Sequence, residues 1–308
     1  MGRTETYVYV CLRSLPDSNP RWYILRRRKI LNASFSDLMP IPSCPSQPPE
    51  ASSVVVLDWG IYVIGGLIKG KPTSKVLLLD CRTHTWRQVS SMIVTRASAA
   101  AGVVEGKIYV LGGCKFDEKN WGEVFDPKTQ TWDTLPPMPD TKKRDQYIHD
   151  SVVRDQKVYA VDGTDRTLYY SPSLGQWGRG NRGEVIGNRR DWCMIDNLIF
   201  FLTRHGTVIW LVHFGEQIVN LWEKYKIKFG RPQKLIDLLP GARLSNSGGN
   251  IVLFWDVIEG DHLEIWCAEI SLERRQGGEV WGNIEWSNAV MTVDHFLDRS
   301  KVLYSASV

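Results

Sequence analysis

The chain has 308 residues, of which 43% are apolar and 23% are charged, a composition typical of globular proteins rather than of disordered or membrane-spanning ones. Its formal net charge of +4 is too small to indicate a nucleic-acid partner by itself. The six cysteines are scattered without a C-x-x-C pair, and no apolar run approaches the length of a membrane span. We therefore expect a protein of the cytoplasm and/or nucleus, with no nucleic-acid partner and no membrane partner.

Two short extended segments open the chain, at residues 7–12 and 21–25, and a turn rich in Pro, Asp, Ser and Asn separates them. Trp22 follows this turn as a tryptophan does in later parts of the chain, so the two segments are predicted to be the third and fourth strands of a sheet. Four cations follow at residues 26–29. The Pro- and Ser-rich stretch at residues 40–53 then predicts a connector, because proline cannot join the interior of a strand ladder.

One unit recurs along the rest of the chain, and its clearest copy is residues 99–138. There an apolar run, a Glu-Gly turn and a second apolar run ending in a double glycine are followed by a third extended segment, an Asp-Pro turn and a segment around a tryptophan. The same order stands one period upstream in residues 54–92, where Tyr62 corresponds to Tyr109. Each copy predicts four strands in about forty residues.

Later copies depart from this pattern. Residues 151–177 keep the second apolar strand but replace the first glycine of the pair with Asp162. Residues 192–222 keep only the strand pattern, and residues 244–287 form the last copy. A final strand-like segment lies within residues 294–308 and has no partner left in its own copy.

The recurring aromatic and glycine residues have a packing explanation. Large aromatics fill the wedge between sheets that stack side by side, and a glycine pair allows positive φ or a close backbone approach at a strand end. We therefore interpret these residues as structural rather than functional: Gly65, Gly66, Tyr62, Trp86, Gly112, Gly113, Tyr109 and Trp132.

A double glycine after a tyrosine, with a tryptophan farther on, resembles the kelch repeat. This pattern and the segments LDCRTHTW and VFDPKTQTW together make the chain similar to the kelch portion of plant F-box/kelch-repeat proteins. The resemblance implies an all-β, kelch-type β-propeller in a single domain spanning residues 1–308, and a repeat period of about 46 residues leaves room for roughly six four-stranded blades. Residues 7–25 and 294–308 are expected to form one composite blade that closes the ring, with residues 302–307 paired beside residues 7–12.

The resemblance also implies a function. In that family an F-box ahead of the propeller binds the adaptor of a cullin-based ubiquitin ligase, and the propeller binds the protein to be ubiquitinated. We expect a non-enzymatic protein-interaction module with an unidentified protein substrate or partner. No F-box pattern stands ahead of Tyr7 in this sequence, so the adaptor is expected as a partner only if an F-box is supplied outside this chain. The alternatives are an enzyme with its site at the channel mouth and a free-standing scaffold without a ubiquitin-ligase role.

No catalytic residue, metal site or cofactor is predicted. The six histidines fall at no zinc spacing, and no G-x-S-x-G elbow occurs. Residues 65–71 fit the phosphate-loop pattern G-x-x-x-x-G-K, but Pro72 stands where Ser or Thr would hold magnesium. The residues that follow predict a strand rather than a helix, so we do not expect nucleotide binding.

A partner-binding face is predicted from the alternating direction of consecutive strands. In an up-and-down blade, the loop from the second to the third strand and the loop to the next blade leave from the same face. Cationic and aromatic residues on such loops suit protein recognition. The candidates are Arg96, Phe116, Arg144, Tyr147, Arg189 and Arg190, with Lys69, Lys71 and Lys115 on the same face.

Overall fold

The computed structural model describes residues 6–14, 20–30, 33–42, 51–114, 120–138, 148–162, 167–180, 192–196, 198–202, 208–211, 219–220, 243–259, 262–274, 280–293 and 300–308. The regular structure of these residues consists of six four-stranded sheets and a two-stranded hairpin. No helix long and apolar enough to cross a membrane occurs in this part of the chain. The chain divides into two compact units, Cys44–Arg189, called the middle unit, and Met1–Ser43 with Arg190–Val308, called the terminal unit.

The strands are short in the first half of the chain and include several of ten or more residues toward its end. The first thirteen are β1 (Val8–Ser14), β2 (Arg21–Ile30), β3 (Ala33–Pro40), β4 (Ser53–Leu57), β5 (Gly60–Ile64), β6 (Leu67–Ile68), β7 (Lys71–Pro72), β8 (Val76–Asp80), β9 (Thr85–Val89), β10 (Ala100–Val104), β11 (Lys107–Leu111), β12 (Gly122–Asp126) and β13 (Thr131–Thr134). The remaining strands are β14 (Ile148–Arg154), β15 (Lys157–Asp162), β16 (Thr167–Ser171), β17 (Gln176–Gly180), β18 (Trp192–Ile195), β19 (Leu198–Leu202), β20 (Val208–Leu211), β21 (Val219–Asn220), β22 (Arg243–Ser247), β23 (Asn250–Glu259), β24 (His262–Arg274), β25 (Val280–Val293) and β26 (Ser300–Ser307).

Three antiparallel sheets form the middle unit, in the strand orders β4-β5-β8-β9, β10-β11-β12-β13 and β14-β15-β16-β17. Two-residue turns join the first two strands of the second and third sheets. In one of them Glu105 and Gly106 both have positive φ, and in the other Asp155 and Gln156 do. Positive φ at both central residues is the type I′ geometry, which matches the twist of a hairpin.

The connection between β5 and β8 folds into a small hairpin that the sequence analysis did not predict. Strands β6 and β7 pair antiparallel, and both Lys69 and Gly70 at the turn have positive φ. Residues 65–71, which imitate a phosphate loop, are therefore a strand end and a hairpin. They do not open a helix, which a phosphate loop requires.

Aromatic side chains fill the contacts between neighbouring sheets of the middle unit. Tyr62 of the first sheet meets Phe125 of the second edge to face, with ring centroids 6.1 Å apart. Tyr109 of the second sheet lies 5.9 Å from Tyr170 of the third. All four side chains are buried, so aromatic packing holds the sheets of this unit side by side.

The terminal unit contains the sheets β26-β1-β2-β3, β18-β19-β20-β21 and β22-β23-β24-β25. Strand β26 pairs with β1 from Val8↔Ser307 to Ser14↔Ser300, with a register shift between Cys11 and Leu12. The predicted pairing of residues 302–307 with residues 7–12 is thus confirmed. One sheet is built from both ends of the chain.

The position of the N-terminal strands in this sheet differs from the prediction. Strands β1 and β2 are its second and third strands, and β3 supplies a fourth strand that the sequence analysis assigned to no sheet. The cations at residues 26–29 continue β2 instead of ending it. Arg26 lies opposite Asp37 of β3, and their side chains form an ion pair at 2.6 Å. A cross-strand pair of opposite charges favours this register.

The core of the terminal unit lies on both faces of the β22–β25 sheet. One cluster joins that sheet to the composite sheet through Val10 and Val302, which pack against Phe254 and Ile265. A second cluster joins it to the β18–β21 sheet and contains Phe200. The composite sheet is therefore an integral part of this core.

Candidate partner-binding face

The sheets of the middle unit have two ends with different connections. Turns between the first and second strands and between the third and fourth strands lie at one end, which we call the hairpin end. Connections from the second to the third strand, and from the fourth strand to the next sheet, lie at the other, which we call the crossover end. In the middle unit, the described part of the crossover end consists of residues 65–75, 90–99, 112–114, 120–121 and 135–138.

Arg96 is the one predicted contact residue within the described part of the chain, and the structure places it in the interior. Its relative exposure is 0%, so its side chain does not contribute to an outer contact surface. The other five, Phe116, Arg144, Tyr147, Arg189 and Arg190, lie outside the described residues. Lys69 and Lys71 are exposed on the hairpin formed by β6 and β7.

The guanidinium of Arg96 forms an ion pair with Glu123, at 2.8 Å from Nη2 to Oε1, and both side chains are fully buried. Arg96 Nε donates to the same carboxylate oxygen at 3.0 Å. Its remaining N–H groups donate to backbone carbonyls: Gly112 at 2.6 Å, Trp121 at 2.9 Å and Asn120 at 2.6 Å. The fixed fork of the guanidinium thus joins the β9–β10 connection to the crossover end of the second sheet.

The carboxylate of Glu123 also holds backbone of the β9–β10 connection. It accepts a hydrogen bond from the backbone N–H of Ile93 at 2.6 Å and from that of Val94 at 3.2 Å. Glu123 lies within β12, two residues before the buried Phe125, at a buried strand position where an unpaired carboxylate would be costly. That carboxylate inside a buried strand is the sequence signal that predicts a buried cation partner.

Backbone hydrogen bonds fix the same connection to the first sheet. Residues Thr73 and Arg96 form an antiparallel bridge, in which Arg96 N donates to Thr73 O at 3.0 Å. Met92 N donates to Ser74 O at 2.9 Å, and Gly66 N donates to Arg96 O at 2.7 Å. Residues 92–96 therefore form an ordered ledge beside residues 73–75, with hydrogen bonds on both sides.

Gly65 and Gly113 permit this close packing at the ends of their strands. A Cβ on Gly65 would lie 2.6 Å from the carbonyl oxygen of Arg96, and one on Gly113 would lie 2.6 Å from that of Ala97. Both glycines also have positive φ. Their small size is needed because the next connection passes directly over the strand end.

Exposed apolar and cationic side chains lie on the ledge and on residues 69–75 beside it. Lys69, Lys71 and Lys75 are exposed. Ile93, between the ledge's hydrogen-bonded ends, is 54% exposed. We call Lys69, Lys71, Lys75, Ile93 and Thr95 the ledge surface.

A second buried carboxylate, Glu269, lies in the terminal unit. It forms an ion pair with Arg27 of the composite sheet at 2.9 Å and accepts hydrogen bonds from Trp286 Nε1 at 2.9 Å and Asn250 Nδ2 at 2.7 Å. Arg27 also lies over the ring of Trp286. Both carboxylate oxygens of Glu269 thus accept hydrogen bonds from protein donors, and the ion pair with Arg27 ties the composite sheet to the β22–β25 sheet.

Neither carboxylate belongs to a group suited to metal binding. Among the described residues, no cluster of three or more His, Cys, Asp or Glu side chains has the placement of a metal site. The five described cysteines, Cys11, Cys81, Cys114, Cys193 and Cys267, are buried and lie outside any disulfide bond. Burial raises the pKa of the Cys193 thiol to about 12 and also raises the pKa of Cys114. Thiols with raised pKa values are poor nucleophiles near neutral pH.

Comparison with known proteins identifies the kelch repeats. The family model of the FKB95 kelch-repeats domain matches residues 22–291. In solved structures, the chain is similar to YjhT, with a TM-score of 0.58 at 14% sequence identity over 92% of this chain and 95% of that one. The all-β, kelch-type β-propeller predicted from the sequence is thereby confirmed.

Several curated proteins of Arabidopsis thaliana are similar to the chain. The chain is 38% identical to the putative F-box/kelch-repeat protein At3g24610, over 78% of this chain and 73% of that protein. It is 36% identical to the putative F-box/kelch-repeat protein At3g27910, over 95% of this chain and 77% of that protein. It is also 34% identical to the kelch repeat-containing protein At1g19460, over 96% and 74% of the two chains. The chain therefore belongs to the F-box/kelch-repeat protein family.

Proposed function

We propose that the protein is a non-enzymatic interaction module, and that the crossover end of its sheets binds a protein partner. The observation that carries this proposal is the ledge. A buried ion pair and a set of backbone hydrogen bonds hold residues 92–96 in one conformation while Ile93 stays exposed. Such an arrangement lowers the conformational entropy lost on binding, because the contact surface is ordered beforehand.

The proposal extends to the cellular role that the family suggests. The names of similar proteins pair kelch repeats with an F-box. We propose that the propeller of this chain presents a protein substrate to a cullin-based ubiquitin ligase when an F-box is supplied. The fold alone does not determine such a role, since β-propellers carry many functions.

The test of partner binding uses the tagged chain expressed in Arabidopsis cells, with captured proteins identified by mass spectrometry. Alanine is then substituted singly at the candidate positions Phe116, Arg144, Tyr147, Arg189 and Arg190. Because Arg and aromatic residues dominate binding energy at interfaces, we expect at least two of these changes to weaken binding of the main partner by about 1–4 kcal/mol. Equal tolerance of alanine at all five positions would place the partner elsewhere.

The ubiquitin-ligase role has its own test. Ubiquitination of the captured partner is measured in cells with and without this protein, while the proteasome is inhibited. We expect less ubiquitinated partner when the protein is absent. An unchanged level would support a scaffold without a ligase role and leave the binding proposal intact.

A further inference from the structure

The two ends of the middle unit differ in how their charges are arranged. At the hairpin end, cations and carboxylates form ion pairs: Arg82 with Asp80 at 3.1 Å, Lys107 with Asp126 at 3.1 Å and Arg154 with Asp155 at 3.2 Å. At the crossover end, Lys69, Lys71 and Lys75 are exposed, and none of the described residues places a carboxylate in an ion pair with them. The described crossover end contains no Asp or Glu, and Glu123, in the adjoining strand β12, is fully buried against Arg96.

These lysines, which form an ion pair with none of the described carboxylates, lie on ordered backbone. Lys69 occupies the turn of the β6–β7 hairpin, and this hairpin closes through the bond from Thr73 N to Gly66 O at 2.9 Å. Lys75 stands next to Ser74, whose carbonyl accepts the N–H of Met92. The three ammonium groups are therefore carried on the same hydrogen-bonded framework as Ile93.

We propose that the ledge surface binds an acidic, extended segment of a partner protein that also presents an apolar side chain to Ile93. Carboxylates of such a segment would face Lys69, Lys71 and Lys75, and complementary charge at the edge of a contact mainly sets association rate and specificity. The apolar side chain would cover Ile93, which is 54% exposed. This inference rests on the proposed function and adds the chemical class of the partner.

Other polyanions fit the surface less well. Proteins that bind single-stranded nucleic acid commonly stack bases on aromatic side chains, and the ledge surface has no aromatic residue. A membrane-binding surface combines several cations with large apolar anchors, whereas the described ledge offers Ile93 alone. The mixture of spaced cations with one apolar residue favours a peptide.

The experiment measures the fluorescence anisotropy of labelled peptides mixed with the full chain. The acidic probe alternates Glu and Gly around a central Leu. A neutral probe has Gln in place of Glu, and a third probe has Gly in place of Leu. We expect the acidic probe to bind, the neutral probe not to bind, and the probe without Leu to bind more weakly. Added salt should weaken binding of the acidic probe, since these charges are exposed to solvent.

Two double variants with the same change in net charge locate the site. Lys69→Glu with Lys71→Glu reverses charge on the ledge surface, and Lys107→Glu with Lys128→Glu reverses it at the hairpin end. We expect the first pair to weaken binding of the acidic probe by about tenfold or more and the second by less than about twofold. Both variants change exposed side chains, and matching thermal unfolding to the unsubstituted protein verifies that they fold.

Ile93→Ser tests the apolar contact separately. In this variant the acidic probe and the probe without Leu should bind with the same affinity. A persisting preference for the probe with Leu would overturn the assignment of Ile93.

The remaining outcomes decide the class of ligand. Equal weakening by both double variants, or no binding of the acidic probe, would overturn the proposal. Tighter binding of labelled single-stranded RNA or of phosphatidylserine vesicles, lost with the Lys69 and Lys71 substitutions, would assign the ledge surface to that ligand instead. If the acidic probe fails while partner capture still depends on the five candidate positions, the proposed function stands and only this inference falls.

Discussion

At the scale of single residues, the ion pair of Arg96 and Glu123 is the most consequential feature of the middle unit. Many buried ion pairs can be replaced by apolar residues with little loss, because removing two charges also removes their desolvation cost. This pair is different, since its hydrogen-bonding partners are mainly backbone groups. The carbonyls of Gly112 and Trp121 and the N–H of Ile93 would remain buried or half-buried without the pair.

Substitution of Glu123 tests this distinction. Glu123→Gln leaves the Arg96 charge buried, so we expect the free energy of unfolding to fall by about 3–5 kcal/mol in a urea titration. The double substitution Arg96→Met with Glu123→Leu should not restore the loss, because backbone groups are then left without partners.

The matched control is Glu105→Gln, which changes an exposed glutamate in a turn of the same sheet. We expect it to alter stability by less than about 0.5 kcal/mol. Recovery of wild-type stability in the double variant would mean that the pair acts through its charges alone.

The sequence could not predict the location of Arg96. Its place in a connection between repeats favours an exposed side chain, and this position is the reason that the sequence predicts a partner contact there. What buries it is the convergence of acceptors from residues 112–123, which only the folded chain brings together. By contrast, the aromatic packing of Tyr62 and Tyr109 follows from their repeated positions in apolar strands.

At the scale of strands and turns, glycine has two distinct roles in the second sheet. Gly106 occupies a hairpin turn with positive φ, and nothing lies within 4 Å of the position of an added Cβ. Gly113 also has positive φ, but an added Cβ would lie 2.6 Å from Ala97 O and 2.8 Å from Ala99 N. Gly106 is needed only for its positive φ, whereas Gly113 also allows two backbone segments to touch.

Alanine at these two positions should separate the roles. We expect Gly106→Ala to cost about 1 kcal/mol, the penalty for a left-handed residue with a side chain. Gly113→Ala should cost about 3 kcal/mol or more, because the β9–β10 connection must also move away. Thermal unfolding of the two variants measures the difference, and equal losses would show that backbone contact at Gly113 contributes nothing beyond φ.

Some strands could be predicted from the sequence and others could not. Strands β5 and β11 were predictable because each is a buried apolar run between turn residues. Strand β3 is not evident from the sequence because the preceding cations at residues 26–29 suggest a loop, whereas they extend β2, where Arg26 pairs with Asp37 of β3. The β6–β7 hairpin was missed because each of its strands has two residues, too few to show alternation.

At the scale of the whole molecule, the repeat made the fold class predictable. A unit of four short strands that cannot bury both faces alone predicts stacking of copies, whatever the details of each copy. Sequence reasoning was weaker where copies diverge. The β18–β21 and β22–β25 sheets keep the strand order, but in the latter β23, β24 and β25 have 10, 13 and 14 residues instead of the five found in β4 or β10.

The composite sheet makes the two ends of the chain depend on each other. Val302 of β26 is 0% exposed and belongs to the same apolar cluster as Val8, Val252 and Phe254. Loss of β26 would uncover that cluster and leave β1 with an unpaired edge. The C-terminal segment thus contributes to a core shared by strands from both ends of the chain.

Deletion of residues 297–308 should therefore destabilise the terminal unit as a whole. We expect a lower melting temperature and faster amide hydrogen exchange in β1 and β23, because Val8 and Val252 lose a common partner. In case the shortened chain does not fold, Val302→Ala removes part of the same contact and should cost about 2 kcal/mol. Val308→Ala, at a partly exposed residue just beyond β26, is the matched control and should change little. A shortened chain that melts at the parental temperature, with unchanged exchange in β23, would show that β26 pairs with β1 without supporting the core behind it.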